Sequence, residues 1–210
     1  MGTSIGWLAV KGKRGDEVLG VLDLVPNDQT ASHPRRGFSL ALPNGWFAVV
    51  TRFAAPLIAD DAMRRLSRGC VVVTCEYDDQ VMVSSATCYV NGLRNWRAEH
   101  DGQKDDTRDL STSGSLPAAF DAIHARIEAM QDAADAEGDD VDHYYSLPIE
   151  LAQSVTTFHA DLPASAYGAT TCEGWTLAEV TAAPPPADPD LPRKVRKAVA
   201  KATRPWWRFW

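Results

Sequence analysis

The sequence predicts an α+β fold in which a mainly antiparallel sheet carries helices packed on one face. Two turn sequences, Pro43-Asn44-Gly45 and Asn91-Gly92, each separate a pair of strand-like segments, and both are typical of β-hairpins. Because hairpins join antiparallel strands, the order of elements does not fit a doubly wound parallel sheet. The 45% apolar content over 210 residues supplies one sizeable core without disulfides or metals.

The first half of the chain is predicted to contain three strands and two helices. The strand segments are rich in apolar and β-branched residues, whereas the helix segments carry apolar residues at helical spacing. The predicted strands are residues 5–10, 38–42 and 46–50, and the predicted helices are residues 16–24 and 60–68.

The middle of the chain is predicted to hold three more strands. Residues 70–75 are almost continuously apolar, which is expected of a central strand buried on both faces. Residues 81–90 and 93–100 flank Asn91-Gly92, so these two segments are predicted to pair as a hairpin with a two-residue turn.

The turn also predicts the register of this hairpin. A two-residue turn at positions 91 and 92 pairs residues whose numbers sum to 183, which sets Val83 opposite His100 on an apolar face. Since successive side chains alternate between faces, Ser84, Arg97 and Glu99 are expected on the opposite, polar face.

The later part of the chain is less regular. Apolar residues recur at helical steps from Phe120 to Met130, and six acids occur among the eleven residues that follow position 131. The predicted segments are a mobile loop or weak edge strand over 101–114, a helix from Pro117, a solvated acidic loop over 132–142, a helix over 148–158 and a late strand over 175–180.

Charge is divided unevenly along the chain. The net charge is −7, but residues 193–210 carry seven Lys or Arg and no acid, which leaves 28 acidic and 14 basic side chains in residues 1–192. Five prolines within residues 182–192 predict a stiff, extended segment. The predicted organisation is a single α+β domain over 1–181, a Pro-rich linker over 182–192 and a basic, Trp-rich tail over 193–210.

The tail suggests two kinds of contact. Trp and Arg are common at the centres of protein interfaces, which favours docking of the tail in a groove of its own domain or of a partner. Trp also prefers membrane–water interfaces, and basic residues are attracted to anionic lipids, so peripheral membrane contact through residues 193–210 is the alternative. Nucleic acid is not a predicted partner, because the acidic domain would repel phosphates.

The sequence predicts a cytoplasmic protein with reduced thiols. The first ten residues lack the basic and apolar regions of a signal peptide, and no apolar run is long enough to span a membrane. The four cysteines form no C-x-x-C pair, and the spacing of the potential ligands is not typical of a metal site. No cofactor and no metal are therefore predicted.

His100 is the strongest candidate for a catalytic group. Glu99 and Asp101 flank it, and Cys75 or Cys88 could act as its nucleophile. However, neighbouring residues of a strand point to alternate faces, so the two carboxylates cannot both orient the imidazole ring. The sequence favours a non-enzymatic protein, with a Cys/His-type hydrolase centred on His100 as an alternative.

Two segments resemble a group of small, soluble, uncharacterised bacterial proteins. These are Ser4-Ile-Gly-Trp-Leu-Ala-Val-Lys-Gly12 and Trp96-Arg-Ala-Glu-His-Asp101. The closing Pro-Trp-Trp-Arg-Phe-Trp is similar to the ends of various small bacterial proteins, some of them immunity-like. The resemblance carries no catalytic residue, and it implies a bacterial cytosolic protein of the immunity type.

The predicted function is therefore that of a protein-binding module, most simply an immunity-type protein that neutralises a bacterial toxin. An acidic surface attracts a basic partner, which makes a basic protein such as a cognate toxin the expected ligand. The predicted contacts are the acidic residues Glu99, Asp101, Asp105, Asp106, Asp135, Glu137, Asp139 and Asp140, together with Trp206, Trp207, Phe209 and Trp210 of the tail.

Overall fold

The computed structural model describes residues 3–104 and 106–178. These residues form nine strands: β1 (Ser4–Lys11), β2 (Leu24–Ala31), β3 (Phe38–Ala41), β4 (Trp46–Thr51), β5 (Val71–Asp78), β6 (Val83–Val90), β7 (Leu93–Asp101), β8 (Ser111–Gly114) and β9 (Cys172–Leu177). The four α-helices are α1 (Gly15–Val21), α2 (Asp60–Leu66), α3 (Phe120–Glu137) and α4 (Ser146–Thr156). The predicted linker and tail, residues 182–192 and 193–210, lie outside the described residues.

All nine strands belong to one antiparallel sheet. Their order is β2-β9-β3-β4-β1-β5-β6-β7-β8, so that β1 and β5 lie near the middle and β2 and β8 form the edges. The predicted α+β class with a mainly antiparallel sheet is confirmed. Among the described residues, no helix is long and apolar enough to cross a membrane.

The helices cover both faces of the sheet rather than one. Trp7 of β1 points to the face where Phe158, which follows α4, packs edge-on against its ring at 5.2 Å between ring centres. The next residue, Leu8, points to the opposite face and joins the core cluster of Val18 in α1 and Met63 in α2. We call these the α4 face and the α2 face. The expected one-sided packing is corrected: an apolar central strand needs cover on both sides.

The β6–β7 hairpin follows the predicted register only next to its turn. Val90 pairs with Leu93 and Tyr89 with Arg94, as the two-residue turn requires. A β-bulge then shifts the register by one residue, so that Ser84 rather than Val83 lies opposite His100.

The extra residue of the bulge is Asn95 of β7, and beyond it Ser84 shares the α4 face with His100. Its hydroxyl is buried and donates to the carbonyl oxygen of Tyr145 at 2.7 Å. The expected placement of Ser84 on the polar face is therefore wrong. Both faces of β6 meet core side chains, because Ala86 and Cys88 pack on the α4 face and Tyr89 packs on the α2 face.

Several predicted segments take a more definite form in the structure. Residues 101–114 contain a loop and the edge strand β8, whose four residues are all exposed. Helix α3 continues to Glu137, so the first part of the predicted acidic loop is helical. Gly138 ends the helix with φ +75°, a conformation that glycine adopts without steric cost. Strand β2 was not among the predicted elements, and β9 begins about three residues before the predicted late strand over 175–180.

Candidate functional site

The two acidic segments predicted to bind a partner lie next to each other. Residues 99–109 are the end of β7 and the loop after it, and residues 132–142 are the last turns of α3 and the loop that follows. Arg108 joins them, because its Nη2 donates to Asp132 Oδ1 at 2.7 Å and to Asp135 Oδ2 at 2.6 Å. We call the described acidic residues of these two segments the acidic surface.

Part of this surface is neutralised by its own basic residues. Glu99 accepts from Arg97 at 2.8 Å, and Lys104 lies 3.0 Å from the carboxylate of Asp109. Asp135 also accepts a hydrogen bond from the side-chain amide of Gln131 at 2.8 Å. This bond, together with Arg108, holds the pKa of Asp135 below its ordinary value. Glu99 and Asp135 therefore help to hold the acidic surface together, and they are also potential contacts for a partner protein.

The remaining predicted acids differ in how available they are. Asp101 is half-buried and accepts from the backbone N–H of Gln103, whereas Asp106 is exposed and accepts from the backbone N–H of Arg108. Glu137, Asp139 and Asp140 are also exposed, and like Asp106 they form no ion pair within the described part of the chain. Asp105, Trp206, Trp207, Phe209 and Trp210 lie outside the described residues.

His100 fixes both acidic segments to the sheet from beneath. Its side chain is fully buried on the α4 face. Nδ1 donates to the backbone carbonyl oxygen of Asp109 at 2.7 Å, and Nε2 forms a hydrogen bond with Asp142 Oδ2 at 2.8 Å. The other oxygen of Asp142 accepts from the backbone N–H of Tyr145 at 3.1 Å. One buried imidazole thus ties β7 to the loop after it and to the loop before α4.

The arrangement around His100 differs from a nucleophile–base pair. Both ring nitrogens are engaged by Asp109 and Asp142, so neither points at a thiol. Cys88 pairs with Trp96, four residues along the strand from the Ser84–His100 pair, which corresponds to about 13 Å. Burial raises the pKa of the Cys88 thiol to about 11 and that of Cys75 well above its ordinary value. The structure therefore does not bring the proposed hydrolase residues together.

The interaction of His100 with Asp142 was not visible in the sequence. The two residues are 42 positions apart, and the flanking carboxylates Glu99 and Asp101 were the apparent partners. In residues 3–104 and 106–178, no group of three or more His, Cys, Asp or Glu side chains could hold a metal ion.

Comparisons with known proteins do not link this chain to a family. No protein-family model, curated protein or solved structure matches the chain. The resemblance to small bacterial proteins of the immunity type therefore stays a prediction.

Proposed function

We propose that this protein is a non-enzymatic binding module of the immunity type, which neutralises a basic bacterial toxin in the cytoplasm through its acidic surface. The observation that carries the proposal is the contact of Arg108 with Asp132 and Asp135. This contact joins two acidic segments that are separate in the sequence into one surface. Four exposed acids without ion pairs among the described residues, Asp106, Glu137, Asp139 and Asp140, then supply its uncompensated charge.

An acidic surface of this kind suits a basic protein for two physical reasons. Complementary charge accelerates the encounter of the two proteins, and it disfavours acidic competitors. In addition, Arg108 and His100 hold the acidic segments in place before binding, which reduces the conformational entropy lost on association. A toxin whose own surface binds nucleic acid would present the required positive charge.

The test begins with the full-length chain, tagged and purified from its native host together with any bound protein. The proposal expects a basic partner whose expression alone arrests growth and whose effect is relieved by co-expression of this chain. Binding should weaken as salt rises, because exposed charges are screened. The triple variant Glu137→Gln/Asp139→Asn/Asp140→Asn should bind at least tenfold more weakly, mainly through slower association.

A matched control removes the same charge elsewhere. Asp23, Asp28 and Asp161 are exposed and lie outside the acidic surface. The triple variant Asp23→Asn/Asp28→Asn/Asp161→Asn should therefore bind nearly as well as the unmodified protein. Equal weakening in both triple variants would show that net charge acts without a defined surface. A bound protein that neither arrests growth nor loses affinity with the first triple variant would refute the proposal.

A further inference from the structure

An open surface cavity of about 360 Å³, lined mostly by exposed residues, lies at the end of the sheet opposite to the acidic surface. It opens where β2 leads into β3, and β2 is the edge strand farthest from β8. The lining residues are Thr30, Ala31, Ser32, His33 and Arg35. Its volume falls at the lower end of the range found for small-molecule sites in proteins.

The loop that forms the cavity is held at several points. The backbone N–H of Ala164 donates to the carbonyl oxygen of Ser32 at 2.8 Å, and the backbone N–H of Phe38 donates to the carbonyl oxygen of Arg35 at 3.1 Å. The guanidinium carbon of Arg35 lies 4.7 Å from the ring centre of Phe38, a cation–π contact that orients this side chain. The cavity is therefore formed by an anchored segment with its cation already positioned.

Arg35 forms no ion pair with a carboxylate of the described residues. Nine ion pairs involve the described residues, and neither Arg35 nor Arg36 takes part in one. Acidic residues outnumber basic ones two to one in residues 1–192. Arg35 thus brings to the cavity a positive charge that no carboxylate of the described residues pairs with.

The polar groups that line the cavity are suited to an anion. Thr30 and Ser32 carry hydroxyl groups, His33 a ring N–H and Arg35 a guanidinium, and no acid is among the lining residues. Ser32 Oγ lies 3.2 Å from His33 Nδ1, which places the hydroxyl and the ring side by side. Hydroxyl and guanidinium donors together match the oxygens of a phosphate group, which arginine can bind through two hydrogen bonds.

We propose that this cavity binds the phosphate group of a small phosphorylated molecule. The guanidinium of Arg35 provides the charge, and the hydroxyls of Thr30 and Ser32 provide neutral donors. A single phosphate ion would fill only part of 360 Å³, so the remaining space accommodates the organic part of the ligand. This site is separate from the acidic surface and does not depend on the function proposed for it.

Glu173 allows a test of how strongly a nearby negative charge affects phosphate binding in the cavity. It pairs with Thr30 across β2 and β9, and its side chain is exposed, although it does not line the cavity. Its negative charge beside the site opposes an anionic ligand. Glu173→Gln should therefore strengthen phosphate binding by about two- to fivefold, as expected for removal of one screened charge.

The experiment is an NMR titration of the full chain with three probes: inorganic phosphate, glycerol 3-phosphate and acetate. The expected result is that both phosphates shift the amide signals of residues 30–36, with tighter binding of glycerol 3-phosphate and little response to acetate. Arg35→Ala should weaken binding at least tenfold. Ser32→Ala, which removes one hydroxyl, should weaken it about threefold.

Arg68→Ala is the matched control, since Arg68 is also exposed and forms no ion pair among the described residues. It should leave phosphate binding unchanged. The proposal is overturned if phosphate produces no shifts at residues 30–36 or if acetate binds as well as phosphate. It is also overturned if Ser32→Ala has no effect and Arg35→Ala acts no more strongly than Arg68→Ala.

Discussion

His100 shows how a single buried side chain can organise a surface that it does not reach. The ring is fully buried, and its hydrogen bonds go to the carbonyl oxygen of Asp109 and the carboxylate of Asp142. Burying a polar pair is expensive unless both partners are satisfied, and here Asp142 is satisfied further by the N–H of Tyr145. The histidine that resembled a catalytic base in the sequence is a structural link in the fold.

We predict that His100→Ala lowers the free energy of unfolding by about 3–5 kcal/mol. Removing one partner of a buried pair leaves the other desolvated without that partner; here Asp142 would keep only its hydrogen bond from the N–H of Tyr145. Asp142→Asn should cost less, because an amide can still hydrogen-bond with the ring. Urea unfolding monitored by tryptophan fluorescence would measure both variants.

The control for this prediction is His159→Ala, since the His159 side chain is exposed. Its substitution should change the free energy of unfolding by less than about 0.5 kcal/mol. If His100→Ala were no more harmful than His159→Ala, the proposed linking role of His100 would have to be abandoned.

At the level of the elements, the β6–β7 hairpin marks the limit of what the sequence could predict. The Asn91-Gly92 turn fixed the first two pairs, because turn type determines register near the turn. Nothing local to the turn specifies a bulge three residues away. The bulge is favoured by tertiary packing, since it places Cys88 and Ala86 in the core beside Trp96.

For the helices and the acidic surface as well, local sequence predicted some features, whereas others depend on contacts between distant residues. The apolar run 70–75 indicated a strand buried on both faces, and that observation already required cover on both sides of the sheet. The two acidic segments could be recognised from composition alone. Their contact could not, because Arg108 lies 24 and 27 positions from Asp132 and Asp135.

We predict that Arg108→Ala loosens the junction between the loop after β7 and helix α3. The folded-state pKa of Asp135 is lowered by Gln131 and by Arg108, so Asp135 stabilises the fold above its ordinary value of 3.8. This contribution is lost as the pH falls through the lower folded-state pKa. The variant should therefore be less stable than the unmodified protein at pH 7, with a difference that shrinks below about pH 4.

Denaturation midpoints measured between pH 7 and pH 3 would follow this difference. Arg108→Lys is the appropriate comparison, because it keeps the charge but cannot contact both carboxylates with the same planar geometry. A gap between the Ala variant and the unmodified protein that stayed constant over this pH range would contradict the assigned role of the ion pairs.

For the molecule as a whole, the sequence of residues 193–210 supports a prediction about lipid binding. The seven basic residues and three tryptophans of this segment favour anionic membranes over neutral ones, because each basic residue near an anionic surface contributes about 1 kcal/mol. The full chain should float with phosphatidylserine-containing liposomes, and a chain that lacks residues 193–210 should not. Equal flotation of both forms would exclude the membrane alternative.

The two charged regions of the domain lie at opposite ends of a nine-stranded sheet. Eight inter-strand steps of about 4.8 Å separate β2 from β8 by roughly 38 Å, several times the Debye length of about 8 Å at physiological ionic strength. Charge bound at one end is therefore screened from the other. A phosphate ligand and a basic protein could occupy the domain together without direct influence on each other's affinity. Any measured cooperativity between them would have to be transmitted by a change in the sheet itself.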